Sequence, residues 1–239
     1  MARFTLDDLG WNAFFAGHFE PFRVEGWVPA RLIRDNKISY GALLDDGAGG
    51  FDELEVILSG KVWHDAETDA ELPAVGDWVA LERGKAGEDH VIRARLPRQT
   101  CFSRKAPGLS AEEQVIAANV NAVIVVTDAG PDFSLRRMER YFAIIARGGA
   151  KAVVLLNKAD LYPESQNEEA AAAIRELNAA AEVLVTSVKR RRGLKPLRNH
   201  LQRGQTVAVI GSSGVGKSAL VYLLLGEEWQ WVDEVNEVT

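Results

Sequence analysis

The sequence predicts two domains: a small N-terminal antiparallel β-barrel, then an α/β domain with a parallel sheet and helices on both faces. Three observations carry this. Short alternating segments broken by turn residues fill the chain up to about residue 100. From Gln114 onward, apolar strands alternate with helical stretches. Near the end, Gly211-Ser212-Ser213-Gly214-Val215-Gly216-Lys217-Ser218 places a glycine-rich loop between an apolar strand and an apolar helix.

Candidate barrel strands are Arg23–Arg34, Lys37–Leu44, Phe51–Leu58, Asp77–Glu82 and His90–Leu96, with a loop from Asp45 to Gly50. Five strands of this length suit an OB-fold, and an SH3-like barrel is the alternative. Ahead of them, Leu6, Leu9, Trp11, Phe14 and Phe15 suggest a short amphipathic helix within residues 1–20, leaving 21–97 for the barrel. Pro97–Gly108, with Arg98, Arg104 and Lys105, reads as a linker (98–111) whose charges are either solvated or turned to RNA.

In the second domain, 112–239, strands are expected at Asn121–Thr127, Lys151–Leu156, Glu182–Thr186 and Gln205–Ile210. Helices are expected at Leu135–Arg147, Glu168–Ala181 and Leu194–Gln202, and from the glycine loop to Leu225, where Gly226 ends the last.

Composition bounds the function. Of 239 residues, 47% are hydrophobic and 26% charged, enough to bury a core. A net charge of −6 argues against indiscriminate coating of nucleic acid. The single cysteine, Cys101, cannot form an internal disulfide and is too few for a cysteine-rich zinc site. The N-terminus lacks the basic start and apolar run of a signal peptide, and no apolar run reaches membrane length, so a cytoplasmic protein without membrane contact is expected.

Gly211–Ser218 fits G-x-x-x-x-G-K-[ST] at every fixed position, in the strand–loop–helix setting the motif needs. Its glycines let successive N–H groups face phosphate oxygens, and the helix N-terminus adds positive potential. Lys217 would neutralise β- and γ-phosphates and Ser218 would ligate Mg²⁺, which makes these two the candidate catalytic residues and Ser218 the candidate metal ligand. Ala219 follows directly and completes the candidate binding set.

The base is read from Asn157-Lys158-Ala159-Asp160, an N-K-x-D arrangement at a strand end. The Asp160 carboxylate can accept from the ring N–H and exocyclic amino group of guanine. Adenine offers no such donor pair, and mismatches of this kind discriminate by about 10⁴–10⁵. Asn157 would bond the base edge, and the Lys158 stem would lie along the ring. Thr186-Ser187-Val188, ending the next strand, is the third contact, with backbone N–H groups reaching the guanine carbonyl.

N-K-x-D here precedes the P-loop, which a circular permutation of the domain accommodates. A barrel followed by N-K-A-D, T-S-V and G-S-S-G-V-G-K-S resembles the circularly permuted RsgA/YjeQ GTPases of small-subunit ribosome biogenesis. The likeness extends to Leu72-Pro73-Ala74-Val75-Gly76-Asp77-Trp78-Val79, Ile116-Ala117-Ala118-Asn119-Val120 and Val235-Asn236-Glu237-Val238-Thr239. The resemblance implies GTP or GDP with Mg²⁺, an OB-fold that helps to dock on the 30S subunit and its 16S rRNA, and a monomer. It also implies a further zinc-binding domain, a switch I threonine segment and a D-x-x-G switch II. None of these follows in this sequence, and Asp46-Gly47-Ala48-Gly49 spells D-x-x-G only in a barrel loop. The chain is therefore expected to be a fragment that binds nucleotide and hydrolyses GTP poorly.

From Ser187 to Gly204 there is no acidic residue, against Lys189, Arg190, Arg191, Arg192, Lys195, Arg198 and Arg203. A solvated face and an rRNA contact are the two readings. Two other functions compete with the GTPase: a P-loop ATPase with Asp128 as Walker-B carboxylate, and an RNA-binding module whose P-loop is structural.

Overall fold

The computed structural model describes residues 4–105 and 113–226 and divides the chain into two compact units. The first comprises Met1–Val120 with Arg203–Thr206, the second Asn121–Gln202 with Val207–Thr239. Residues 235–239, part of the family likeness, lie outside the described residues, as do 106–112 of the expected linker.

The first unit opens with a 3-10 turn, Leu6–Leu9, and helix α1, Ala13–Arg23. The Asn12 side chain accepts from the Phe14 and Phe15 N–H groups and so fixes where α1 begins. Phe15 and Phe19, one helical turn apart, bury against Trp78 and Leu96. This spacing carries the helix through Pro21 to Arg23, where a strand is expected from the sequence; the strand begins only at Val28.

Strands β1 (Val28–Asp35), β2 (Tyr40–Asp45), β3 (Phe51–Leu58), β4 (Trp78–Glu82) and β5 (His90–Arg95) close into a barrel in the order β1-β2-β3-β5-β4. All pairs are antiparallel except β3 with β5. Leu32, Leu44, Val56, Leu81 and Ile92 fill the interior from alternating positions. Five closed strands fit the OB-fold. A short helix, α2 (Gly60–Asp65), started by the Ser59 hydroxyl, interrupts the strands between β3 and β4.

The described part of the expected linker, residues 98–105, is structured. Strand β6 (Cys101–Lys105) pairs antiparallel with β7 (Glu113–Ala118). Arg98 is neither solvated nor open to RNA. Its guanidinium grips the fully buried Asp77 through Nε (2.9 Å) and Nη2 (2.7 Å) and donates to the Ala70 and Leu72 carbonyls. Asp77 in turn accepts from the Ala74 N–H. Beside it, Gly76 has φ +89°, and a Cβ there would stand 2.2 Å from the Ala118 carbonyl. Asn119 donates to the Gly76 carbonyl, so the two barrel-side motifs of the family likeness meet here. Asp77→Ala would leave a buried guanidinium unpaired and is expected to cost about 3–5 kcal/mol. Urea unfolding followed by tryptophan fluorescence measures this, and a loss below about 0.5 kcal/mol, the size of an ordinary surface substitution, would contradict it.

Arg203–Thr206 belongs to this unit although it lies far along the chain. Arg203 pairs with Asp8, and the Gly204 N–H donates to the Asp8 carbonyl. The buried Arg31 donates to the Leu9 carbonyl (2.7 Å) and to the Thr206 hydroxyl (3.0 Å).

The second unit is a parallel four-stranded sheet, β10 (Glu182–Val185), β9 (Lys151–Asn157), β8 (Ala122–Asp128), β11 (Val207–Ile210), in that order. Ile124, Val126, Val153 and Leu155 pack on Leu197 and on Leu220 of helix α5 (Lys217–Leu225). The intervening Val123, Val125, Val154 and Leu156 are equally buried, and helices α3 (Leu135–Gly148) and α4 (Glu164–Leu177) lie against β9. Helix α4 starts four residues before the expected Glu168. The expected helix Leu194–Gln202 is a 3-10 segment, Lys195–His200, with Pro196 at its start. Among the described residues no helix is long and apolar enough to cross a membrane.

Candidate functional site

Parallel strands deliver their C-terminal ends to one edge of the sheet, and ligands of open α/β sheets sit there. In the second unit that edge carries the loop after β11 (211–216), the loop after β9 (157–160), the loop after β10 (186–193) and the turn after β8 (129–134). The candidate residues named from the sequence therefore converge, although one group is separated from another by a helix and a strand.

The loop after β11 is shaped by its glycines. Gly211 has φ +146°, and a Cβ there would lie 2.1 Å from the Val126 carbonyl of β8. Gly216 has φ +102°, and its Cβ would lie 2.5 Å from the Asn157 amide nitrogen. Neither position can accept a side chain without moving backbone or Asn157. Val215 is buried beneath the loop, while Ser213, Gly214, Ser218 and Ala219 are exposed. The Lys217 ammonium folds back over the loop and donates to the Gly211 and Ser212 carbonyls, each at 2.8 Å. It thus stands over a loop whose backbone N–H groups and helix start favour an anion.

Asn157 ties three loops together. Its Nδ2 donates to the Val215 carbonyl (2.8 Å), and its Oδ1 accepts from the Val188 N–H (3.0 Å). With both ends of its amide engaged, Asn157 is a brace rather than a free base contact. Lys158, in the left-handed region at φ +57°, sends its ammonium to Asp128 Oδ2 (2.8 Å). The Ala159 N–H donates to the Thr186 carbonyl, and Asn167 of α4 donates to the Ala159, Tyr162 and Pro163 carbonyls. Asp160 Oδ1 accepts from the Ser187 hydroxyl at 2.5 Å. That bond, with Arg190 and Lys189 nearby, holds the Asp160 carboxyl below the ordinary carboxylate range. An ionised carboxylate with one oxygen steadied by a serine is thus presented at the loop edge. The Thr186 hydroxyl is buried and has no hydrogen-bond partner among the described residues.

Two acidic residues take part through contacts that the sequence does not announce. Asp128, at the end of β8, accepts from Lys158 with one oxygen and from the Gly130 N–H with the other. Each Asp128 oxygen thus accepts one hydrogen bond, and the Lys158 contact ties this candidate Walker-B carboxylate to the N-K-x-D loop. Asp132 bonds Arg137 through both oxygens (2.8 and 3.0 Å), and that pairing, with the Ser212 hydroxyl nearby, pulls its carboxyl far below the usual range. A lone acidic residue in a turn gives no hint of either contact.

An open cleft of about 580 Å³ adjoins these loops, lined by Val188, Lys189 and Arg191 on one side and Ala219, Tyr222 and Leu223 of α5 on the other. Its volume is within the range of small-molecule sites.

Residues 95–239 match the RsgA GTPase family. The chain belongs to that family. Small ribosomal subunit biogenesis GTPase RsgA of Opitutus terrae is 42% identical over 234 residues, which cover 95% of this chain and 62% of the relative. The chain thus spans somewhat less than two thirds of that relative's length. Among solved structures, YjeQ from Thermotoga maritima shares the fold with a TM-score of 0.64 at 23% identity, over 82% of this chain and 64% of that one. YloQ, described as a circularly permuted GTPase, does so with a TM-score of 0.59 at 22% identity, over 82% and 63%.

Membership in the RsgA family agrees with the order of the motifs: the base-loop residues on β9 and β10 precede the glycine loop on β11, yet all three meet at one sheet edge. The loops are brought together by strand adjacency, with β8 between β9 and β11, so sequence order is immaterial to the site.

Proposed function

We propose that the second unit binds GDP or GTP, with Asp160 reading guanine and the 211–218 loop holding the phosphates. The observation that carries this is the Asn157 brace, which fixes the base-reading loop to the phosphate loop at one distance and in one orientation. Lys217 exchanges its loop carbonyls for β- and γ-phosphate oxygens, a stronger charge-assisted pairing. Lys158 lays its stem along the purine ring, with Asp128 setting its direction. Thr186, Ser187 and Val188 close over the base edge, and Ala219 lies beside it in the cleft.

The residues present fit a phosphate group. Close approach to the Val126 carbonyl at Gly211 and to the Asn157 amide at Gly216 holds the loop in its glycine conformation, and its lysine bonds the loop's own Gly211 and Ser212 carbonyls, which a phosphate can replace. Ser218 is the residue that would hold Mg²⁺, which when bound neutralises charge on the β- and γ-phosphates. Among the described residues no group of three or more His, Cys, Asp or Glu side chains is placed to hold a metal.

In the cell we place the protein in the cytoplasm as a monomer, acting in maturation of the 30S subunit through contacts with 16S rRNA. The names of its RsgA relatives, small ribosomal subunit biogenesis GTPases, support the small-subunit part of this reading. GTP hydrolysis is the corresponding reaction, with Lys217 and Ser218 stabilising the transferred phosphoryl group.

Titration of fluorescent GDP against fluorescent ADP, with and without Mg²⁺, tests the reading. GDP is expected to bind at least about 10²-fold more tightly than ADP, since adenine leaves the Asp160 carboxylate unpaired. Equal affinities would refute the role of Asp160, and an affinity indifferent to Mg²⁺ would refute that of Ser218.

A further inference from the structure

The loop after β10 is a tight, stiff hairpin. Ser187 and Arg192 exchange both backbone hydrogen bonds, and the Arg191 N–H donates to the Val188 carbonyl. Arg191 sits at φ +52° and Gly193 at φ +73°, where a Cβ would meet the Val185 carbonyl at 2.2 Å. The hairpin thus projects Lys189, Arg190, Arg191 and Arg192, all exposed, from a base held on β10. Four cations on so short a turn need an anionic partner or the solvent.

Arg190 connects this tip to the base-reading carboxylate. Its backbone N–H donates to the Ser187 hydroxyl (3.1 Å), the same hydroxyl that donates to Asp160 Oδ1. Its side-chain Nε stands 3.9 Å from Asp160 Oδ2, an ion-pair distance rather than a hydrogen bond. A guanidinium offers a carboxylate two parallel N–H donors, as does the N1–H and amino edge of guanine. Arg190 and guanine therefore compete for one oxygen.

Building on the guanine-nucleotide reading above, we propose that Arg190 is a placeholder for guanine at Asp160. The hairpin's cations bind the phosphodiester backbone of a single-stranded RNA segment, which draws Arg190 off Asp160 and raises guanine-nucleotide affinity. RNA is favoured over a membrane because the tip carries four charges and no apolar side chain to insert, Val188 being buried. Closely spaced backbone phosphates match cations on successive residues. Coupling is reciprocal, so the nucleotide raises RNA affinity by the same factor.

The test is a GDP titration of the whole chain and of Arg190→Ala, at low salt, with and without a uridine dodecamer. An exposed, partly screened pair of this kind corresponds to about two- to five-fold in affinity. Arg190→Ala is expected to bind GDP tighter by that factor without RNA. The dodecamer should tighten GDP binding to the unaltered chain by a similar factor and leave Arg190→Ala unchanged. Labelled dodecamer should bind more tightly when GDP is present, and Arg191→Glu with Arg192→Glu should abolish its binding. Unchanged or weaker GDP binding by Arg190→Ala would overturn the proposal. So would RNA that leaves GDP affinity unaltered, or hairpin-dependent binding to vesicles of anionic phospholipid without binding to RNA. If neither protein binds GDP, the guanine-nucleotide reading itself falls, and the placeholder with it. GDP binding that ignores Arg190 defeats the placeholder alone.

Discussion

Asp160→Asn should weaken GDP binding by about 10²–10³-fold, the loss expected when a charge-assisted pair of hydrogen bonds is replaced by a mismatch. The structure also fixes which way the new amide faces. The Ser187 hydroxyl donates to Oδ1, so the asparagine carbonyl stays at that position and its NH₂ takes the place of Oδ2. An amino group then confronts the amino group of guanine, donor against donor. Xanthine carries a carbonyl at that carbon, and xanthosine diphosphate should become the tighter ligand. Competition of GDP and xanthosine diphosphate against a fluorescent nucleotide measures the switch. A variant that keeps its GDP affinity would show that Asp160 does not read the base.

Lys217→Ala should lower GDP affinity by about 10²-fold, two charge-assisted hydrogen bonds at about 1.5–3 kcal/mol each less the bonds the lysine makes when no phosphate is present. The loss should be larger for GTP, since the ammonium reaches between β- and γ-phosphates. The lysine is bonded to the Gly211 and Ser212 carbonyls, so its removal also loosens the loop. Circular dichroism and the unfolding midpoint separate the two effects. A drop in midpoint alone, with GDP affinity intact, would mean that Lys217 serves only the loop.

The parts of this fold that follow from short-range chemistry were legible in the sequence. The 211–218 loop is one: its glycines are demanded by positive φ and by approaches of 2.1 and 2.5 Å to neighbouring atoms. The buried strands of the second unit are another, because a run such as Val153–Leu156 has no polar face to confuse its period. Features decided by distant partners were not legible. Strand β6 depends on β7, beyond residues 106–112, and two prolines disguise it as linker. Helix α1 passes a proline and ends at Arg23, where the sequence pattern places a strand, because Trp78 and Leu96 of the barrel supply the apolar surface it covers. Arg98 looked like a free charge, since nothing in its neighbourhood announces Asp77, 21 residues earlier. At the site, N-K-x-D drew attention to Asn157, Lys158 and Asp160 but not to the partners each one takes. Asn157 braces the loops, and Asp128 and Asp132 enter through contacts that only the folded sheet edge creates.

The return of Arg203–Thr206 to the first unit has a consequence for how this protein can be taken apart. A single cut after residue 120 does not release a whole barrel unit. It strands the buried Arg31 without the Thr206 hydroxyl and leaves Asp8 without Arg203. The barrel behaves as a two-piece object, with a short plug borrowed from a later stretch of the chain. A gene fusion or recombination event that moves residues 1–120 alone therefore carries an incomplete part, and a peptide supplying the plug in trans would be the natural complement.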